Sequence, residues 1–538
     1  MLMGGGPKSK RAAPLQLSTF VGAIPPICLA LALGGCAVGP DFLATTAPVQ
    51  DKWIESGDKR VAKSDVKSHW WRTFKDPTLD RLIQRAYEQN LPVRIAGLKI
   101  LEARAQLGVA IGNLYPQTQE GTGAAQQNLL SSRLANQASL QHSFANFNLG
   151  FDAAWEMDFW GRFRRNVEAN DANLLATVAD YDSALVSLTA EVARTYALLR
   201  TYEEFIQIAR ENARVQKEGV DIAESRFRNG ATSELDVTQA RTLWESTLAD
   251  IPELQASLQQ SKNALSTLLG QPPGGMEALL HGPQRIPAAS KRVAIGIPAE
   301  LLRRRPDIHA AELNAAAESA RIGVAEADLY PRFFLLGDVG VQSSDVAKLF
   351  APHSLFFTAG PGFQWSILNY GRITNDVRAQ DARFQQALVN YEDTVLRAAR
   401  EVEDALIAFL KEQESAVSSQ KSVEAAQSSV HLAFIRYREG EEDFQRVVDS
   451  ERSLLQAKNR LAQTRSAIAT NLIALYKALG GGWELREGRP IVPVPMQQEM
   501  ASRTNWGDLL PAESPPPPPE LAPPTPAGAA PALLPPDW

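Results

Sequence analysis

One long amphipathic stretch, Gly161 to about Asn229, is written twice in this chain. Apolar side chains recur at Leu174, Val178, Tyr181, Leu185, Leu188, Val192, Tyr196 and Leu199, in steps of three and four residues. That spacing is the seam of a long helix packed against other helices. The same phase returns, displaced by 210 positions, at Phe384, Leu388, Tyr391, Val395, Ala398, Val402, Leu406 and Phe409. Flanking marks keep the register: Trp155 with Trp365, Gly161-Arg162 with Gly371-Arg372, Arg226 to Gly230 with Arg436 to Gly440, and Leu269-Gly270 with Leu479-Gly480. A gapless repeat of this length is an architectural duplication, and it restricts the fold to two related halves, each built on one rod.

At ~1.5 Å per residue, the stretch from Gly161 to Asn229 gives a helix of roughly 100 Å. The returning helix, Ser233 to Gly270, is shorter, and a helical pattern from about Pro92 to Leu114 is shorter again. The latter ends at Tyr115-Pro116 and recurs 215 positions later, ending at Tyr330-Pro331. Placed end to end, the two shorter helices match the long one. This predicts a rod of antiparallel helices with tight turns at Gly230 and Gly440 at one end. The breaks fall near the middle, where Gln271 to Pro306 and the terminal segments form a belt. Residues 37–75 read as irregular, with Trp53, Trp70, Trp71 and Phe74 as apolar anchors. Asp76-Pro77 is a helix start, since Asp caps and Pro suits the first turn.

After each Tyr-Pro comes a stretch unlike helix, Gln117 to Asn128 and Phe333 to Ser344. A polar loop and an aromatic-rich segment follow: Phe144, Phe147, Phe151 and Trp155 in one half, Phe356, Phe357, Phe363 and Trp365 in the other. Partial alternation, glycines and aromatics suit four strands of a small-residue barrel, with the aromatics as barrel wall or girdle. Four strands cannot span a bilayer alone, because an open sheet leaves unpaired edges in lipid. They belong either to an ordinary soluble sheet or to a barrel completed by other subunits.

The N-terminus reads as an export signal. Lys8, Lys10 and Arg11 precede an apolar run from Phe20 to Leu33, which leads through Gly34-Gly35 into Cys36. Removing residues 1–35 shifts the formal charge from -6 to about -9, and an acidic surface argues against nucleic acid as a partner. The mature chain would then hold one cysteine and no disulfide. At the other end, Pro511 to Trp538 contains Pro515 to Pro519 unbroken and reads as an extended, solvated tail, with a docking peptide as the alternative.

No catalytic constellation emerges, which points away from an enzyme. His69, His142, His281, His309, His353 and His431 lack metal-ligand spacing, and there is no phosphate loop or nucleophile elbow. Neither metal nor cofactor is expected. Arg303-Arg304-Arg305 reads as a solvated, salt-bridged turn rather than a phosphate site. The two tips are the functional candidates: Arg226, Arg228 and Gly230 on one, Arg436, Arg438 and Gly440 on the other. Each combines a glycine turn with many charges, as a docking surface and a narrowing pore require.

Ile297 to Ile308, with Leu301-Leu302-Arg303-Arg304-Arg305-Pro306-Asp307 at its centre, resembles a signature of the TolC-type outer membrane efflux proteins. The Leu33-Gly34-Gly35-Cys36 sequence resembles a lipobox. With Trp155 and Phe159-Trp160-Gly161-Arg162, it is similar to the NodT-like lipoprotein branch that serves resistance-nodulation-division (RND) pumps. The resemblance implies a mainly α protein with a β-barrel portion. A trimer would supply four strands per chain to one twelve-stranded outer-membrane barrel, and its helices would form a hollow periplasmic coiled-coil tunnel. It implies lipidation of Cys36, an outer-membrane lipid anchor, a periplasmic adaptor (membrane fusion) protein at the tips and an inner-membrane RND pump behind it. The function implied is an exit duct for small molecules such as drugs, with energy from the inner-membrane partner. A lipid-anchored coiled-coil scaffold without a pore and a protein-secretion duct remain the competing readings. By resemblance, Asp449 would line the closed periplasmic aperture, with Asp236 on the other tip as the alternative acid.

The organisation expected is a signal peptide at 1–35, a lipidated N-terminal and equatorial segment at 36–91 and a first repeat at 92–270. An equatorial linker at 271–305, a second repeat at 306–480, a C-terminal equatorial segment at 481–510 and the Pro-rich tail at 511–538 complete it.

Overall fold

The computed structural model describes residues 37–510, apart from 45–46, 64–67, 132, 134–140, 283, 297 and 299–303. The segment expected to be a signal peptide, Cys36, Arg303 and the Pro-rich tail therefore lie outside the described residues. Helices α1 (Pro77–Gln89) and α2 (Leu91–Gly112) lead into strands β2 (Thr118–Leu129) and β3 (Ser143–Met157). The long helix α3 (Arg162–Arg228) and its return α4 (Glu234–Leu268) follow. The second half repeats this with α5 (Pro306–Glu326), β5 (Arg332–Ser343), β6 (Leu355–Gln364), α6 (Arg372–Glu439) and α7 (Phe444–Ala478). The start of α6 lies 210 positions after that of α3, and both ends of α7 lie 210 after those of α4. The duplication read in the sequence is thus a duplication of elements.

In the half nearer the strands the helices lie side by side in the order α2, α3, α5, α6; towards the tips the order is α4, α3, α7, α6. The strands form one antiparallel sheet in the order β2, β3, β5, β6. Each molecule is therefore a layer with two free edges, one formed by α2, α4 and β2 and the other by α6 and β6. Helix α3 is interior and buries Val178, Tyr181, Leu185, Leu188, Val192, Tyr196 and Leu199. Its repeat partner α6 is an edge. There Val395, Ala398, Val402, Leu406 and Phe409 are buried, whereas Phe384, Leu388 and Tyr391 are only half-buried.

Midway along the rod a belt wraps the helices. It contains features the sequence did not announce: β1 (Val61–Lys63) paired in parallel with β4 (Val293–Ile295), and helix α8 (Val494–Arg503). Trp70 is wholly buried, stacks on Tyr476 with ring centroids 5.3 Å apart, and donates its indole N–H to the Gly481 carbonyl at 3.2 Å. Trp53 donates to the Gly296 carbonyl at 3.0 Å. Asp76 caps α1 by accepting from the Thr78 and Leu79 amides, and its other oxygen accepts from the Tyr196 hydroxyl at 2.8 Å. Arg200, also buried, donates to Tyr196 Oη, Glu203 and the Leu280 carbonyl, so α3 carries the belt loop directly.

Arg305 corrects the expectation of a solvated arginine turn. It is buried and donates to both Asp307 oxygens, to Glu401 at 2.9 Å and to the Ala478 carbonyl at 2.8 Å. A planar five-donor fork can bind three chain segments at once, and here it joins the start of α5 to α6 and to the end of α7.

Asp182 on α3 and Arg486 behind α7 form a buried, two-oxygen ion pair. Burial pushes the Asp182 carboxyl up to about 6 even against the attraction of Arg486. Removing one partner strands a buried charge, so Asp182→Leu or Arg486→Met is expected to cost about 3–5 kcal/mol. The double replacement should recover most of that loss. The midpoint of thermal unfolding in detergent, compared across the three variants, checks this.

Candidate functional site

The four-stranded sheet has two chemically distinct faces, and its register says which residue lies on which. Phe151 sits beside Gly121 on β2 and Val339 on β5, and Val339 beside Phe357 on β6. Counting in twos from that row places Phe147, Leu149, Trp155, Phe333, Leu335, Val341, Leu355 and Phe363 on the same face. Phe151, Phe357 and Phe363 are each more than two-thirds exposed there. The opposite face carries Glu120, Thr122, Gln126, Asn146, Asn148, Asp152, Asp338, Gln342 and Thr358. An apolar outside and a polar inside is the pattern of a membrane barrel wall around an aqueous lumen. Phe144 and Phe356 depart from the expectation, since their parity puts them on the polar face.

Where strands meet helices, the duplicated marks find each other. Trp155 donates to the Leu114 carbonyl at 3.2 Å, and Trp365 to the Leu329 carbonyl at 2.9 Å. Trp160 stacks on Tyr330 and donates to the Pro331 carbonyl at 2.9 Å. Amphipathic indoles at this level suit a membrane–water boundary. The first described residues dock here too: Val38 donates its amide to the Trp160 carbonyl, and Arg165 donates to the Val38 and Gly39 carbonyls and to Asp41. Among the described residues, no helix is long and apolar enough to cross a membrane.

At the other end lie the two tips. Both long helices close through the same glycine device, with φ of 71° at Gly230 and 81° at Gly440. The Ala231 amide reaches back to the Arg226 carbonyl, and the Glu441 amide to the Arg436 carbonyl. These six-to-one bonds satisfy the last carbonyls of each helix, as in a Schellman cap.

The equivalent arginines then diverge. Arg226 lies over the Tyr437 ring and donates to the Tyr437 and Arg438 carbonyls at 2.8 and 2.9 Å, clamping one tip to the other. Arg436, Arg438 and Arg228 are exposed. Arg436 lies 3.6 Å from Glu442, and Arg228 donates weakly to the Glu224 carbonyl. Asp236 is half-buried and accepts from the Thr232 and Tyr437 hydroxyls, which ties the start of α4 to the end of α6. Asp449 stays exposed. It accepts from Gln445 at 2.9 Å and is paired with neither Arg446 nor Arg452. Between the tips is a cleft of about 610 Å³ whose lining includes Arg226, Thr232, Asp236, Gln239, Glu442 and Gln445. Among the described residues, no cluster of His, Cys, Asp and Glu could hold a metal ion.

A family model described as "Outer membrane efflux protein" matches residues 82–271 and 297–481, so it covers most of the chain. The chain belongs to the outer membrane efflux protein family. It is 32% identical to the Escherichia coli cation efflux system protein CusC, across 85% of this chain and 98% of that one. Nodulation protein T of Rhizobium leguminosarum bv. trifolii is 30% identical, with 84% and 96% covered. The solved outer-membrane channel OprN superposes with a TM-score of 0.79 at 34% identity, covering 84% of this chain and 100% of that one. This protein is an outer-membrane exit duct of an efflux pump, mainly α with four antiparallel strands per chain.

In this efflux channel the glycine turns and the strand segments were legible from sequence. The Arg226–Tyr437–Asp236 clamp was not, because it joins residues more than two hundred positions apart. Its one sequence signal is the break in the duplication, where Phe227 and Tyr437 occupy equivalent places and only the tyrosine carries a hydroxyl.

A Cβ at Gly230 would meet no atom within 4 Å, and at Gly440 only Arg226 at ordinary contact distance. Valine at either position is therefore opposed by backbone strain alone, about 1–2 kcal/mol. On the expectation that the tips dock a periplasmic adaptor, Gly230→Val and Gly440→Val should weaken its capture in a pull-down while leaving the oligomer intact by size-exclusion chromatography.

Proposed function

We propose that three copies of this chain close edge to edge into one continuous duct, a twelve-stranded barrel above and a helical tunnel below. The observation that carries this is the pair of matching free edges. The β2 edge belongs to the side built from α2 and α4, and the β6 edge to the side built from α6, so one edge of a copy complements the other edge of the next. Such a contact is heterologous and closes into a ring. Exposed apolar side chains line both sides: Ile95, Val109 and Ile111 on α2, and Val389, Leu396, Val417 and Leu432 on α6. In lipid the unpaired strand edges could not persist.

The anchoring of residues 37–41 at the indole level supports Cys36 as a lipidated first residue, since it would emerge beside the membrane surface. Light scattering on detergent-purified protein should give a mass of three chains, and mass spectrometry of the same material a diacylglyceryl cysteine at Cys36. A stable monomer of full strand content would overturn the closure.

At the tips, the exposed arginines and the inter-tip cleft are the surfaces proposed for a periplasmic adaptor, which links the duct to an inner-membrane RND pump. Asp449 is the acid proposed to line the aperture, where three copies would set three carboxylates in one ring. A ring of carboxylates favours cations in a narrow pore. Asp236 is proposed as a latch acid, because one of its oxygens accepts from both the Thr232 and the Tyr437 hydroxyl within its own protomer. Single-channel recording should show weaker cation selectivity for Asp449→Ala. Tyr437→Phe, which removes the hydroxyl bonded to Asp236, should show more frequent opening.

A further inference from the structure

Behind the tip, helices α3 and α7 run antiparallel, and their contacts set a register. Thr201 donates to Ser466 at 2.7 Å, Arg465 lies 3.5 Å from Glu204, and Lys458 lies 3.8 Å from Glu211. Nearer the tip, Gly219 sits against the rings of Phe434 and Phe444. Between these two markers lie Gln216 on α3 and Glu451 on α7. Both are buried, at 3% and 5% exposure. Glu451 shares the buried stripe of α7 with Phe444, Val447, Val448 and Leu454.

Neither side chain is satisfied. Glu451 Oε1 and both amide atoms of Gln216 have no hydrogen-bond partner among the described residues. Three unpaired polar atoms in one stretch of helix interface are costly, since each forgoes its hydration without a replacement. The duplication sharpens the point. The position equivalent to Glu451 is Arg241, which is exposed and paired with Glu224 at 2.7 Å, and that equivalent to Gln216 is Ala426. The strained pair therefore belongs to the α3–α7 joint alone.

The charged groups around the joint are either paired or exposed. On α3, Arg214 pairs with Glu218 at 2.7 Å and Lys217 with Asp221 at 2.8 Å. On α7, Arg446 reaches Glu442 and Asp449 accepts from Gln445, while Arg452 is exposed. On α6, His431 points to solvent, and on α4, Arg241 holds Glu224.

We infer that Glu451, packed without a partner against the Gln216 level of α3, makes the α3–α7 joint a proton-operated hinge for the periplasmic tip. The joint is tight while the carboxyl is protonated and loosened when it ionises. The reading rests on the duct described above. Burial alone pushes the Glu451 carboxyl up to about 7, so the packed state holds its proton more tightly than the loosened state. Packing is therefore favoured most below the ordinary glutamate range. It loses that contribution as pH rises through about 7, so loosening increases from acid to mildly alkaline conditions. Between pH 5.5 and 8 the ratio of loosened to packed joint should rise on the order of ten-fold.

Hydrogen exchange on the full chain in detergent, at pH 5.5 and 8 and corrected for intrinsic rates, reads the joint directly. Amides at 212–222 and 446–455 should lose protection at the higher pH, and in Glu451→Gln they should stay protected at both. Glu451→Asp, which keeps the titrating group, should retain the pH response. Planar-bilayer recording at the same two pH values reads the consequence for the duct: opening should be more frequent at pH 8 in the wild type and insensitive to pH in Glu451→Gln. Equal wild-type protection at both pH values, or a pH response surviving in Glu451→Gln, would overturn the hinge. A pH-dependent joint in a protein that never conducts would instead overturn the duct and leave the hinge standing.

Discussion

A strand edge in hydrocarbon has nothing to bond to, and that constraint organises the whole molecule. Each chain supplies a sheet whose outer strands β2 and β6 each keep one unpaired edge, with one apolar face and one polar face. The helical layer is continuous with that sheet, so whatever closes the barrel also sets the helices side by side. This explains why α3 and α6, written to the same plan, meet different fates. Helix α3 lies inside the layer and buries its seam against its own chain. Helix α6 ends the layer, and the start of its seam stays half-buried until another copy arrives.

The belt supplies what a rod of helices lacks, a fixed lateral spacing. Long antiparallel helices can slide, because their packing energy changes little with small shifts along a smooth apolar seam. Here the seam is locked by directional groups. Arg200 grips the belt loop, Arg305 joins three segments, and Asp182 meets Arg486 in the interior. Each is an arginine whose fork reaches carbonyls or carboxylates on separate elements, and each is buried, so misplacement leaves a charge unpaired.

The tips are held by weaker means. Below the belt, the Arg226–Tyr437 contact, the Asp236 hydrogen bonds and a small apolar cluster around Val220, Val237, Phe444 and Val448 hold the hairpins together. Stability concentrated at the belt and relaxed at the tips is what a duct needs if its barrel must stay sealed while its periplasmic mouth changes state.

The sequence by itself determined the duplication, the glycine turns, the helix lengths and the four strand segments. These are local or periodic properties: a heptad seam, a left-handed glycine, Asp76 as a cap, alternation beside Tyr-Pro. It also carried the resemblance that named the family. Only the tertiary structure decided which side chains cross between halves. That Arg305 is buried rather than solvated, that Phe144 and Phe356 face the polar side, that Asp236 is engaged while Asp449 is not, and that Gln216 and Glu451 share one interface all depend on register between distant segments. A helix pattern specifies a face to within a turn. The partner that meets that face is fixed by packing against elements two hundred or more residues away, and no local spacing records it.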